Sequence, residues 1–222
     1  IRSEMEVQTE PWEPFCSLAT PEGTMLLGLN LPEHQQYRGW WLSDVAEAMD
    51  KHWTETAMDL VLAERQRVGT IYFLMSEENV AMQIAQPWMK FGTDAGGMDP
   101  TTATGLAHPR TYGTFARVLG KYVREEGALT LEDAVRKMSS AVATRLKIRD
   151  RGVLREGYYA DLVVFDPETV ADHATYERPH QLSTGVVHVL VNGVGVVSDG
   201  QHTGEMPGLA VRGPGWTGWE QR

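Results

Sequence analysis

An aspartate closes the mostly apolar stretch Pro87-Trp88-Met89-Lys90-Phe91-Gly92-Thr93-Asp94, and Ala95-Gly96-Gly97 follow it. The pattern predicts a short strand that stops on a carboxylate, with glycines that let the backbone turn away. Parallel α/β folds place their chemistry at the C-terminal ends of strands, which makes Asp94 the centre of a candidate reactive site. The same spacing also suits an aspartate that only opens a turn. A Gly/Thr/Pro-rich loop, residues 96 to 107, leads to His108-Pro109-Arg110 and would form the substrate-facing wall. The guanidinium of Arg110 can hold a carboxylate through two parallel hydrogen bonds. Its alternative is a surface arginine that caps the loop or pairs with Asp99. His108 is a candidate for contact with the reacting species, or a structural loop histidine ahead of a proline.

The elements around this site read as strand–helix units. Thr70 to Met75 is a near-continuous apolar run, as expected of a parallel strand covered on both faces. Ser76 to Gln86 reads as a short helix, so that strand, helix and the Asp94 strand make a βαβ unit. Helices are predicted over Gly113–Glu126 and Leu131–Leu146, the second capped by Thr130 with Asp133 placed to reach back to the cap amide. Upstream, residues 1 to 10 end a polar helix that Pro11 breaks. Phe15–Ala19 and Met25–Leu29 read as short strands. Two helices follow, one opened by Ser43 with Leu42, Val45, Ala46 and Met49 as its buried stripe, the other over residues 54 to 67 with Ala57, Leu60, Val61 and Glu64 in line.

From Arg151-Gly152 the composition turns to short β-branched runs at Val153-Leu154, Ala160–Asp166 and Val186–Val197. Asn192-Gly193 marks a hairpin and Asp199-Gly200 a second turn. Trp216 and Trp219 are expected to anchor the tail. The predicted division is therefore 1–69 (an insertion end and helices), 70–149 (closing units of a parallel sheet) and 150–222 (a small β domain).

The formal net charge of −10 argues against nucleic acid and anionic membranes as partners, since both ask for a positive footprint. One cysteine, Cys16, leaves no internal disulfide and fits the cytoplasm; it is expected to be a core thiol. No run approaches the roughly 20 apolar residues of a membrane helix. Ile1 is followed by neither a basic region nor an apolar signal core, and the chain is expected to be a piece of a longer polypeptide. His34, His52 and His173 are expected to face solvent.

Three tracts carry a resemblance to a known family. They are Gly92-Thr93-Asp94, then His108-Pro109-Arg110-Thr111-Tyr112-Gly113-Thr114, and Asp150-Arg151-Gly152-Val153-Leu154 with Gly157 to Asp166. Asn192-Gly193 and Pro207 to Arg212 fit the same template. Together they resemble the N-acyl-D-amino-acid deacylase (D-aminoacylase) branch of the metal-dependent amidohydrolase superfamily, over about the C-terminal half of such a protein.

The resemblance implies an α/β fold, the C-terminal part of a (β/α)8 TIM-type barrel plus a small β-sandwich-like domain. It implies a zinc hydrolase that cleaves the amide bond of N-acyl-D-amino acids, with one or two zinc ions. In that reading Asp94 is both a metal ligand and the catalytic proton acceptor, Arg110 holds the substrate carboxylate, and His108 lies beside it in the substrate site. The family's His-x-His is not among the seven histidines here. The remaining ligands would come from an N-terminal half outside this chain, which alone is expected to be inactive. The rival expectations are a cyclic-amide or ureido hydrolase of the same superfamily and a non-catalytic subunit completed by another chain.

Overall fold

The computed structural model describes residues 1–9 and 11–216, so Trp219 lies outside the described residues. The chain divides into two compact units. The first comprises Ile1–Glu77, Gly97–Pro109 and Thr175–His180; the second comprises Glu78–Gly96, Arg110–Ala174 and Gln181–Arg222.

The first unit holds helices α1 (Arg2–Glu6) and α2 (Phe15–Ala19), strand β1 (Thr24–Leu26), helices α3 (Leu42–Ala48) and α4 (Trp53–Glu64), and strand β2 (Thr70–Tyr72). Phe15–Ala19, expected to be a strand, is helical. The α3 stripe is as predicted, with Leu42, Val45 and Ala46 buried, although the helix starts at Leu42 and Ser43 is not its cap. On α4, Leu60 and Glu64 are buried but Val61 is not, and Thr54 and Thr56 take the inward positions. Leu26, Leu29, Val45 and Leu60 form the core of this unit.

The expected pairing of the 70–75 run is overturned. β2 pairs antiparallel with β1, Met25 opposite Ile71. The ladder runs on into a close backbone contact, where the Gly69 carbonyl accepts from the Leu27 and Gly28 N–H groups at 2.7 and 3.1 Å. A Cβ on Gly28 would sit 2.7 Å from the Gly69 nitrogen, so this approach needs a residue without a side chain.

The second unit starts from α5 (Glu77–Ile84) and continues through α6 (Arg110–Arg117), a π-helical segment (Val118–Glu125), α7 (Leu131–Met138) and α8 (Ser140–Leu146). Ile84, Ala116, Val118, Leu119, Tyr122, Ala134 and Val170 make its core. Two helices expected to be continuous are not. The first widens after Arg117, and there Gly120 packs so close to the Val170 carbonyl that a Cβ would meet it at 2.8 Å. The second breaks at Ser139 (φ −127°, ψ −88°), whose hydroxyl donates to the Gly152 carbonyl at 2.9 Å. Thr130 caps α7 as predicted, accepting from the Asp133 N–H. The Asp133 carboxylate does not close the capping box; it takes Arg136 and Lys137 instead, at 2.8 and 2.9 Å.

Residues 87 to 96 form no strand. Lys90 Nζ folds back onto the Trp88 carbonyl at 2.9 Å. A strand is defined by a ladder with a neighbour, and Pro87 and two glycines leave this stretch little reason to be extended on its own.

Strands β3 (Leu162–Phe165), β4 (Val186–Val191), β5 (Val194–Ser198) and β6 (Gln201–His202) form one antiparallel sheet in the order β3-β4-β5-β6. Both predicted turns are present. Asn192-Gly193 (φ 51° and 81°) and Asp199-Gly200 (φ 48° and 76°) carry the paired left-handed residues of tight hairpin turns. Val153-Leu154 adds no strand, and among the described residues the sheet is a single layer. No described helix is long and apolar enough to cross a membrane.

Candidate functional site

Asp94 stands in the left-handed region (φ 47°), a conformation that aspartate tolerates better than most residues. Around it Gly92, Gly96 and Gly97 face open space, with no atom within 4 Å of where a Cβ would be. Its carboxylate is therefore presented rather than packed, with a side chain 89% exposed. Arg110 is the first residue of α6, and the Thr114 hydroxyl donates back to its carbonyl at 2.8 Å. A guanidinium at the amino end of a helix makes a positive spot that favours an anion. Here the anion is Asp94, whose Oδ2 lies 3.1 Å from Arg110 Nη2. The pair lies entirely within the second unit.

So two of the three site residues chosen from sequence come together, sixteen positions apart in the chain. The alternative partner of Arg110, Asp99, is engaged within its own loop, accepting from the Thr101 N–H at 2.8 Å and the Thr101 hydroxyl at 2.7 Å. His108 belongs to the first unit. Its ring meets Tyr176 edge-on at 5.3 Å, in a series that runs through Phe73 (4.7 Å from Tyr176) to Trp41 (5.0 Å from Phe73).

Among the described residues, no three His, Cys, Asp or Glu side chains gather as a metal site would require. Asp94 is one oxygen donor by itself. Cys16 is half-buried, and burial pushes its thiol up, partly offset by the Thr24 hydroxyl at 3.6 Å. That keeps it protonated and makes it a poor nucleophile.

Two polar clusters escaped the sequence reading. Glu64, with its side chain 1% exposed, accepts from the Asn30 N–H (2.9 Å) and the Leu31 N–H (3.2 Å) and lies 2.9 Å from His34 Nδ1. Burial pushes its carboxyl up, but these hydrogen bonds outweigh it and hold it below the usual range. His34 is thus an inward residue, correcting its expected solvent position. The second cluster is Arg151, which binds Asp161 and, at 2.5 Å, the Asn192 side-chain oxygen while stacking over Tyr159. Asp161 in turn accepts from the Asn192 N–H at 2.8 Å, so one arginine ties the start of the β region to its hairpin turn. A cavity of about 370 Å³ beside it is lined by Lys147, Arg149, Arg151 and Arg212, with Tyr159 and Trp216; Asp94 and Arg110 are not part of it.

The profile of the amidohydrolase family matches residues 67–197, which contain Asp94, His108, Arg110, Arg151, Asp161 and Asn192. The chain belongs to the amidohydrolase family. Within it, the relatives that it resembles are deacylases of D-amino acids. It is 45% identical over 151 residues to a D-aminoacylase of Alcaligenes xylosoxydans xylosoxydans, covering 68% of this chain and 30% of that protein. It is 38% identical over 189 residues to an N-acyl-D-aspartate deacylase of the same organism, covering 82% and 37%. A crystal structure of D-aminoacylase matches with a TM-score of 0.70 at 38% identity, over 82% of this chain and 36% of that one. An N-acyl-D-glutamate deacylase from Bordetella bronchiseptica, solved with zinc and a phosphonate inhibitor, matches with a TM-score of 0.69 at 38% identity, over 82% and 37%. This amidohydrolase chain spans about a third of the length of the relatives it matches.

Proposed function

We propose that this chain is the part of an N-acyl-D-amino-acid deacylase that grips the substrate carboxylate and moves the reaction's proton. The observation that carries the reading is the Asp94–Arg110 pair, inside the segment matched by the family profile. The printed activities of the relatives support the same substrate class. Arg110 binds the free carboxylate of the acylated amino acid, for which a forked guanidinium at a helix start is well suited. His108 is a further proposed substrate-binding residue, on the resemblance of the His108-Pro109-Arg110 tract to the deacylase branch. Asp94 accepts the proton of the water that adds to the acyl carbon; as the C–N bond breaks, it returns that proton to the departing amine nitrogen. Both transfers need a carboxylate that is accessible and not locked by burial, which fits its exposure.

Zinc, named in the Bordetella deacylase structure, would supply a polarised carbonyl and an acidified water. Asp94 offers it a carboxylate oxygen, a donor type zinc accepts. Among the described residues no three such donors gather; in this reading the other ligands come from outside this chain, which alone is not expected to retain the ion. We further assign 70–149 to the closing units of a (β/α)8 barrel, 150–222 to the sheet of a small sandwich-like β domain, and 1–69 to an insertion. The antiparallel sheet and the Arg151–Asp161–Asn192 tie support the second assignment. A single cysteine supports a reducing cytoplasm as its setting.

The test uses the complete enzyme, with N-acetyl-D-amino acids against their L enantiomers and against the matching D-amino-acid carboxamides. Cleavage of the D acids and not the L acids is expected. Replacing Arg110 with Ala should raise KM for the acid by roughly 10- to 100-fold, the loss of a charge-assisted hydrogen-bonded grip, while sparing the carboxamide. An equal loss on both substrates would sink the assignment of Arg110.

A further inference from the structure

Helix α6 begins at the residue proposed to grip the substrate, and its first turn rests on a second piece of backbone. Ala171 and Thr184 make an antiparallel bridge. The Ala171 N–H donates to the Thr184 carbonyl at 3.2 Å, and the Thr184 N–H to the Ala171 carbonyl at 3.0 Å. Asp172 follows Ala171 and Ser183 precedes Thr184, so the bridge brings these two side chains near each other. Both reach α6. The Ser183 hydroxyl donates to the Tyr112 carbonyl at 3.0 Å. At the next residue, the buried Gly113, a Cβ would lie 2.9 Å from the Asp172 Cβ and 3.2 Å from its Oδ2. One turn on, Arg117 Nη1 lies 3.6 Å from that same oxygen. Gly113 and Arg117 share a face of the helix, and all of these residues belong to the second unit.

Resting on the deacylase reading above, we infer that Asp172 and Ser183 are positioning residues for Arg110. They seat the first turn of α6 and so aim the guanidinium at the substrate carboxylate. Their action is on the helix, not on the substrate. Arg110 shares a turn of helix with Tyr112 and Gly113, so a displacement of the seat moves its Cα by a similar amount. A forked grip is sensitive to that movement, because its two parallel bonds need guanidinium and carboxylate in register. Gly113 is what lets the helix come this close. It lacks the Cβ that would meet Asp172, whose own Cβ is fixed to backbone and cannot swing away. The glycine that ends the His108-Pro109-Arg110-Thr111-Tyr112-Gly113 tract thereby serves the arginine in the same tract.

The experiment measures steady-state cleavage of N-acetyl-D-leucine and of N-acetyl-D-leucinamide by the complete enzyme. Gly113→Ala, which pushes α6 off Asp172, should raise KM for the acid by about 10-fold with kcat within about two-fold. The same variant should leave kcat/KM for the carboxamide unchanged. Ser183→Ala, a milder change that keeps the backbone packing, should raise KM for the acid by roughly two- to five-fold; it decides alone if Gly113→Ala does not fold. In an Arg110→Ala background Ser183→Ala should add nothing, since the group it orients is gone. An unchanged acid KM in Ser183→Ala, an equal loss on acid and carboxamide, or an undiminished effect of Ser183→Ala without Arg110 overturns the seat and leaves the deacylase reading standing. A wild-type enzyme that cleaves no N-acetyl-D-amino acid overturns that reading and the seat with it.

Discussion

Two carboxylates of this chain, Asp94 and Glu64, each pair with a basic side chain at about hydrogen-bond distance, yet their surroundings are opposite. Glu64 is 1% exposed and saturated by two backbone N–H groups and His34, which pins the turn after Leu29 to the end of α4. Asp94 is 89% exposed and meets Arg110 from a glycine-flanked segment. A buried carboxylate with every lone pair engaged cannot give up its partners cheaply, so it holds structure. An exposed one exchanges partners at little cost and is free to do chemistry. Burial, more than residue type, separates a carboxylate that holds structure from one open to the proposed chemistry.

The sharpest way to break that contrast is to remove each carboxylate in turn. Glu64→Ala leaves two backbone donors and an imidazole without their acceptor in a closed site. It should lower the unfolding free energy of the chain by about 3–5 kcal/mol, read by urea denaturation; a loss below about 1 kcal/mol would place Glu64 with the dispensable surface groups. Acid titration sharpens the point with a smaller effect. The folded-state pKa of Glu64 is depressed below its ordinary value of 4.5, so its contribution is fully present above about pH 4.5 and disappears as pH falls through the lower folded value. Glu64→Gln should therefore be less stable than wild type at neutral pH, with the gap closing below pH 4.5; a gap that does not depend on pH would remove the ionised form from the account. The smallest effect belongs to Asp94→Asn, which removes the charge but keeps a side chain that tolerates the left-handed backbone. Its melting temperature should track wild type, with stability within about 0.5 kcal/mol, while turnover by the complete enzyme falls by about two to four orders of magnitude. A large stability loss there would make Asp94 a structural residue after all.

What could be read from sequence follows the range of the interactions. Thr130 caps α7 through a bond to an amide three residues on, and Asn192-Gly193 folds its hairpin through its own backbone preferences. Both were visible because cause and effect lie within one turn of chain. The break at Ser139 was not, because it answers to the Gly152 carbonyl thirteen residues away. The widened turn around Gly120 answers likewise to Val170. Glu64 looked like one more member of an α4 stripe because its partners begin thirty-four residues earlier in the chain.

By itself, the sequence determined the cap at Thr130, both hairpin turns and which family's tracts the chain carries, and it singled out Asp94, Arg110 and His108 as candidates for chemistry. These are properties of short stretches, set by side-chain type and backbone preference. Tertiary structure alone decided that Asp94 closes on Arg110, that β2 pairs with β1, and that residues 87–96 make no ladder. An ion pair or a strand needs a partner brought from elsewhere in the chain, and no local pattern of residues says which partner arrives.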